Sequence, residues 1–313
     1  MKAVRCEHGK VHLTEVERPQ GEGVRVKVSS VGICGSDLHL LTSGFPITST
    51  LGHEIAGVTA NGIPVAIEPI VACGHCTYCL AGEYNLCVQG AFATTMGVGR
   101  DGGMAEEMIV PERCLVPLPS GLAVADACLI EPLAVALHGL ILSGATSRDR
   151  IAIIGGGSIG QCAVAGAKAI TNDVSLVARH DSQKAAGERL GAHLGAEGTY
   201  DLVVDCAGTS ASLAECVGFA KPGGTLLLLA TYWEGLTLPG FEVTGKQLKI
   251  VTSASYARHG MVRDVDVAAS LMARNPAIAE AIITHRLPLD AAVEAFDIAG
   301  NRAAGAIKVT LSP

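Results

Sequence analysis

The sequence predicts an α/β protein of two domains, a β-rich, loop-rich region through about residue 132 and then a doubly wound parallel sheet. Three observations carry this. Residues 1–120 are built from short β-branched or alternating runs broken by Gly and Pro, among them GVRVKVSSVG (23–32), IAGVTANGIPVAIEP (55–69) and EEMIVPERCLVPLP (106–119). After Glu131 apolar strands and helical segments alternate, the pattern of βα units with helices on both faces of a sheet. One of those strands, RIAII, runs directly into GGGSIG.

The bulk composition agrees. A chain of 313 residues is long for one core and comfortable for two. With 49% hydrophobic and 17% charged residues it lies far from the disordered regime, and at 4% aromatics its core must be built from Ala, Val, Leu and Ile. The net charge of −7 and the lack of a Lys/Arg cluster argue against nucleic acid or an anionic membrane surface as the main partner. The start, MKAVRCEHGKVHLTEVERP, alternates and is charged, which reads as a surface strand pair rather than a signal peptide. No run approaches the roughly 18 apolar residues of a membrane helix. A soluble, cytoplasmic protein is expected.

In the second region, LAVALHGLILSG (133–144) reads as a helix. SIGQCAVAGAKAI (158–170), SQKAAGERLGA (182–192) and SASLAECVGFA (210–220) read as helices between the strands DVSLVAR (173–179), TYDLVVDCAG (199–208), GGTLLLLA (223–230) and KIVTSAS (249–255). The tail carries a helix over VRDVDVAASLMAR (262–274) and a closing strand in AIKVTLSP, and is expected to return to the first domain. The domain boundaries read as 1–132, 133–255 and 256–313.

Gly155-x-Gly157-x-x-Gly160 stands after a strand and before a helix opened by Ser158 and Ile159. Glycines let the chain turn and let a pyrophosphate lie against backbone N–H groups at a helix N-terminus. The strand–turn–helix–strand order makes this a dinucleotide site rather than an ordinary Gly-rich turn. The tip of the second strand reads Ala178, Arg179, His180. Arginine pairs with a 2′-phosphate where a carboxylate would repel it, which favours NADP(H). In the other reading Arg179 is only solvated and Asp181 holds the ribose of NAD.

CGHCTYCLAGEYNLC (73–87) places Cys73, Cys76, Cys79 and Cys87 in fifteen residues. The chain has 11 Cys, an odd number, and no export signal, which disfavours a disulfide framework. The C-x2-C-x2-C-x7-C spacing does not match a ferredoxin cluster either. Four thiolates in a tetrahedron suit zinc, and four protein ligands leave no open position for substrate. This lobe is therefore expected to be structural.

Reactive chemistry must lie elsewhere. GICGSDLH (32–39) carries Cys34, Ser36 and His39, LGHEIAG (51–57) carries His53 and Glu54, and IEPLAVALHG (130–139) carries Glu131. Each alone is bland, since a lone Cys or His is usually inert or a satisfied core or surface residue. Taken in series, CGSDLH, GHE, the four-Cys lobe, IEPLAVALHG, GGGSIG and the closing AGAIKVTL resemble the zinc-dependent medium-chain alcohol dehydrogenases over essentially the whole chain. EPLAVALH and GHE look most like the polyol, sorbitol and threonine dehydrogenase branch.

The resemblance implies a GroES-like catalytic domain and a Rossmann coenzyme domain with the active site in the cleft between them. It implies Cys34 and His53 as ligands of a catalytic zinc. Glu54 matches a carboxylate that ligates zinc in some branches, and Glu131 stands where the classical enzymes place a third Cys. How those two share the metal stays open. Ser36 matches the hydroxyl beside the substrate oxygen and His39 the end of a proton relay through the coenzyme ribose. The implied activity is hydride transfer between a secondary alcohol, polyol or cyclitol, or the matching ketone, and NADP(H), in a homodimer or homotetramer. An NAD-dependent sorbitol- or threonine-type dehydrogenase is the alternative. A non-catalytic zinc-stabilised nucleotide-binding protein is a third reading, disfavoured because Cys34 and His53 are both present. The segment VTANGIPVA is shorter than its counterpart in the family, and the chain is short overall, which is expected to trim the catalytic domain and open the cleft. Asp205 and Cys206 read as core residues without a role.

Overall fold

A computed structural model of the protein describes residues 1–45 and 47–313. The chain divides into two compact units. One comprises residues 1–131, 257–279 and 283–313, and the other residues 132–256 and 280–282. Among the described residues no helix is long and apolar enough to cross a membrane.

The first unit opens with an antiparallel hairpin, β1 (Lys2–Glu7) and β2 (Lys10–Glu15). The alternating run predicted at 23–32 forms β3 (Val24–Gly32), and α1 (Gly35–Thr42) follows at once. Then come β4 (Glu54–Thr59), β5 (Pro64–Ile67), the short helices α2 (Thr77–Ala81) and α3 (Ala91–Thr94), β6 (Glu107–Val110) and β7 (Leu115–Pro117). The period-2 pattern of β3 sends Val26 and Val28 into a core shared with Ile55, Val65, Ile67, Val110 and Leu311, and Val31 joins it past a register shift between Val28 and Ser30. Burial of such side chains contributes roughly 1.5–3 kcal/mol each.

The helix α4 (Ile130–Leu142) precedes the second unit's strands. Those are β8 (Ile151–Ile154), β9 (Val174–Val177), β10 (His193–Leu194), β11 (Tyr200–Asp205), β12 (Ala220–Leu228) and β13 (Lys249–Thr252). Between them lie α5 (Ser158–Lys168), α6 (Asp181–Arg189), α7 (Ser210–Phe219) and α8 (Gly240–Gly245). All pairings are parallel and the strand order is β10-β9-β8-β11-β12-β13. The chain winds outward from β8 on one side, then returns to β11 on the other. β8 and β11 therefore flank the topological switch point, where open α/β sheets bind ligands at their carboxyl ends.

The returning chain forms the small hairpin β14 (Arg258–His259) and β15 (Val262–Arg263), then α9 (Asp264–Arg274), α10 (Ala277–Ile282), β16 (Ile283–Pro288), α11 (Ala292–Gly300) and β17 (Lys308–Ser312). β16 and β17 complete a seven-stranded sheet ordered β16-β17-β3-β4-β5-β7, with β6 on β3. The helix expected at 262–274 begins two residues later because Val262 and Arg263 pair as β15. Helices α1, α2, α3, α8, α10 and α11 have no counterpart in the sequence reading; they are short, and α1 begins inside the motif CGSDLH.

Candidate active site and metal centres

The antiparallel register of β3 and β4 builds the first site. Gly32 pairs with Glu54, so Cys34, just past the end of β3, comes beside His53 at the start of β4. One ligand atom from each of Cys34, His53 and Glu54 falls within 4.8 Å of the others. A Cβ on Gly32 would lie 1.9 Å from Glu54 Oε2, so a larger residue there would have to displace that buried carboxylate.

Cys34 caps α1 with extended backbone, and Asp37 in the first turn accepts its N–H at 2.9 Å. The other oxygen of Asp37 stands 3.4 Å from His53 Nδ1. A carboxylate on Nδ1 fixes the imidazole orientation and leaves Nε2 for a metal, an arrangement common behind histidine ligands. Burial alone would lower the basicity of His53. The Asp37 carboxylate and the Cys34 sulfur outweigh it and hold the imidazole pKa well above its ordinary value.

Glu54 is fully buried, and Lys308 Nζ meets its two oxygens at 2.5 and 2.7 Å. The same ammonium donates to the Ile33 carbonyl at 3.1 Å. Lys308 opens β17, which pairs with the end of β3. Three strands thus converge on one point. Glu131, half-buried at the start of α4, is not among the three grouped ligands. Ser36 is half-buried in the first turn of α1, and His39 is exposed in its last turn. Neither Asp37 nor Lys308 was singled out from sequence. Asp37 had a signal, an acid three residues after a helix-capping position. Lys308 had none, since only sheet pairing brings it to Glu54.

A thiolate, an imidazole and a carboxylate are a donor set that suits zinc with an open fourth position. The His53–Asp37 geometry, with His53 Nδ1 turned away toward a carboxylate, fits such a metal.

The four-cysteine lobe is a second centre. Ligand atoms of Cys73, Cys76, Cys79 and Cys87 lie within 4.8 Å of one another, and none of the four is in a disulfide. The sulfurs of Cys73 and Cys79 are 3.8 Å apart. A tetrahedron with Zn–S bonds of about 2.3 Å has edges of about 3.8 Å, whereas a disulfide needs about 2.05 Å. Backbone N–H groups point at the sulfurs, that of Cys76 at Cys73 Sγ and that of Cys73 at Cys87 Sγ, both at 3.4 Å. The N–H groups of Cys79 and Val88 lower the Cys76 thiol to about 6. The Cys87 thiol is lowered as well, by the Cys73 and Gln89 N–H groups, while burial pushes Cys79 up to about 12; metal binding takes the thiolate form of all four.

In the second unit, the turn Gly155–Gly157 leaves the carboxyl end of β8 at the switch point. Gly155 has φ +110°, a conformation that favours glycine. A Cβ on Gly160 would lie 1.8 Å from the Gly155 carbonyl, so α5 can pack this close only without one. Buried Gln161 ties the loop down through Nε2 to the carbonyls of Gly156 (3.0 Å) and Gln183 (2.8 Å). Ser158 opens α5, and its Oγ is buried with no hydrogen-bond partner among the described residues. An unmatched donor at a helix N-terminus fits a phosphate.

Gly156 lies against Ala178 at the tip of β9, where its Cβ would come within 2.6 Å of that side chain. Arg179 follows and is exposed, and His180 caps α6. The Asp181 side chain is 98% exposed and pairs with Lys184 at 3.0 Å. Asp205, at the end of β11, is a buried hub. It accepts the N–H groups of Ala207 (2.9 Å) and Gly208 (3.2 Å) and the hydroxyls of Ser212 (3.0 Å) and Tyr232 (2.6 Å). It fixes the loops at the carboxyl edge of the sheet.

A doubly wound sheet with a glycine loop at its switch point, together with a Cys–His–Glu group and a four-thiolate lobe on a β-rich unit, defines the zinc-type dehydrogenases as a class. Comparison with known proteins agrees. Residues 20–120 match the alcohol dehydrogenase GroES-like domain. Galactitol 1-phosphate 5-dehydrogenase of Escherichia coli K12 is 31% identical over 93% of this chain and 92% of its own. A zinc-binding dehydrogenase candidate from Sinorhizobium meliloti 1021, solved bound to NADP, is 30% identical with a TM-score of 0.85, covering 100% of this chain and 99% of that one. An alcohol dehydrogenase of Escherichia coli CFT073 complexed with NADH is 27% identical with a TM-score of 0.88, again covering 100% and 99%. The chain belongs to the zinc-type medium-chain alcohol dehydrogenases, with their GroES-like and Rossmann folds, and is an oxidoreductase of alcohols.

Proposed function

We propose that this enzyme oxidises a secondary alcohol of the polyol class, or reduces the matching ketone, with one catalytic and one structural zinc and with NADP(H) preferred over NAD(H). The observation that carries the reading is the convergence of Cys34, His53 and Glu54 ligand atoms within 4.8 Å, with Asp37 behind His53. The polyol assignment is supported by a relative that acts on galactitol 1-phosphate.

Cys34, His53 and Glu54 would hold the catalytic zinc, and Cys73, Cys76, Cys79 and Cys87 the structural one. Bound zinc would lower the pKa of the alcohol hydroxyl, and bound nicotinamide would accept the hydride from the carbinol carbon. The chain's own groups do the rest. Asp37 keeps His53 Nε2 turned to the site. Lys308 balances the Glu54 charge, so that the ligand set brings less net negative charge to the metal. Ser36 would accept the substrate's hydroxyl proton while passing on its own, and His39, exposed in the same helix, would release a proton to water. Glu131 stands in reserve as a further carboxylate near the start of α4.

On the coenzyme, Arg179 reads the 2′-phosphate. Its exposure after the tip of β9, and the occupation of Asp181 by Lys184, support NADP. The relatives solved with NADP and with NADH span both choices.

The test is the initial rate of nicotinamide absorbance change with secondary alcohols, polyols, polyol phosphates and cyclitols, with NADP and NAD side by side. The reading expects turnover on one polyol-type group with NADP favoured, and Arg179→Asp reversing the preference by roughly tenfold or more. Turnover with NAD alone, or an unchanged preference in Arg179→Asp, removes the NADP assignment.

A further inference from the structure

We propose that the four-cysteine lobe is a metal-dependent clasp on residues 257–264, the point where the chain re-enters the β-rich unit. The inference rests on the reading of the lobe as a metal site and adds a role for it.

The lobe cannot hold its own shape. Its helix α2 has five residues and is followed by a three-residue turn at Tyr84–Leu86, far below the length of a self-sustaining helix. Its form depends on four thiolates sharing one cation, so metal binding and local folding are one event. Residues 257–264 are equally weak alone. The β14–β15 hairpin has two residue pairs, its turn residue Met261 is 91% exposed, and an isolated ribbon of that size is not stable.

The two weak segments are tied directly. The Arg258 N–H donates to the Gly82 carbonyl at 3.0 Å. Gly82 has φ +92°, and a Cβ there would lie 2.5 Å from the Arg258 carbonyl, so the approach requires glycine. The Tyr84 hydroxyl lies 3.1 Å from the Ala257 carbonyl and also hydrogen-bonds to Glu68. Both residues sit between the ligands Cys79 and Cys87. The buried carboxylate of Glu68 completes the clasp, since its other oxygen holds Arg263 at 3.1 Å, at the far end of the hairpin. Arg263 also donates to the carbonyls of Arg113 (2.9 Å) and Leu115 (3.1 Å). Within the hairpin, Ala257 N–H donates to Asp264 at 2.9 Å, and Asp264 N–H to the Ala257 carbonyl at 3.1 Å. Releasing Ala257 and Arg258 from the lobe therefore leaves the segment held from its Arg263 end alone, and frees its first half to open.

Hydrogen–deuterium exchange read by mass spectrometry tests this on the full-length protein, with zinc content measured on each sample. Cys76→Ser, which removes the lobe metal, and Tyr84→Phe, which leaves it, should both speed exchange across 257–264 by roughly tenfold or more. Cys34→Ser, which removes only the other metal, should leave that segment protected. If Cys76→Ser does not fold, partial chelation of the wild-type protein, followed to loss of one zinc, replaces it. Unchanged protection in Tyr84→Phe at full zinc content overturns the clasp. Unchanged protection on loss of the lobe zinc overturns its metal dependence. A wild-type lobe that takes up no zinc overturns the reading of the lobe, and with it the metal dependence, while the Tyr84→Phe result still decides whether the contacts hold the segment.

Discussion

Both side chains of the Lys308–Glu54 pair are at most 1% exposed, so each charge has given up its water. Such a pair adds little net stability while intact, but removing one member strands the other and costs about 3–5 kcal/mol. Measured on zinc-free protein, so that no metal takes the lysine's place on Glu54, Lys308→Met should therefore destabilise the β-rich unit by about that amount in urea unfolding, and a loss under about 1 kcal/mol would mean that Glu54 finds another partner. Cys34→Ser acts differently. It removes a proposed metal ligand on a half-buried loop and leaves the core intact. Turnover should fall by more than about a hundredfold, beyond the range seen when only a supporting residue is lost, with the circular dichroism spectrum retained. Retained turnover would sink the ligand assignment. At this scale the sequence named Cys34, His53 and Glu54 through motifs that resemble a known family when taken in series, each residue alone being bland. It did not name Lys308, whose part is set by a strand pairing 254 positions away.

At the scale of elements, the glycine loop and the β3–β4 register set the geometry. Gly160 lets α5 approach β8, and an alanine there places a Cβ 1.8 Å from a carbonyl oxygen. Gly160→Ala should cost about 1–3 kcal/mol as the helix is pushed outward, and should raise the dissociation constant for coenzyme while leaving zinc content unchanged. Calorimetric titration with NADP measures the first and metal analysis the second. The strands β8, β9, β11 and β12 were legible because buried parallel strands read as continuous apolar runs. The short helices α10 and α11 were not. The first has six residues between helix α9 and strand β16, and the second is selected by packing of Ala292, Ala295 and Phe296 into the core rather than by caps or length.

For the whole molecule, the proposed pair of metal centres would separate chemistry from stability. Cys76→Ser should leave one zinc per chain and lower the thermal midpoint of the β-rich unit. A loss of about 2 kcal/mol corresponds to roughly 4–8 °C for a domain of this size. Two zincs in that variant, or an unshifted midpoint, would remove the structural role. The amino-acid sequence by itself determined the α/β class, the glycine loop and the four-cysteine lobe, and it singled out Cys34 and His53, which the fold brings together. The first three are written in adjacent residues whose spacing matches a local geometric need. Tertiary structure alone decided what stands behind those residues: Asp37 on His53, Lys308 on Glu54, Gln161 and Asp205 beneath the coenzyme loops, and Glu68 between Tyr84 and Arg263. Each is a buried or half-buried polar group with at least one partner brought from elsewhere in the chain, such as Lys308 for Glu54, Tyr232 for Asp205 and the Gln183 carbonyl for Gln161. Such pairings arise only because the folded interior forces every charge and hydrogen-bonding group taken out of water to find a partner in space rather than along the chain.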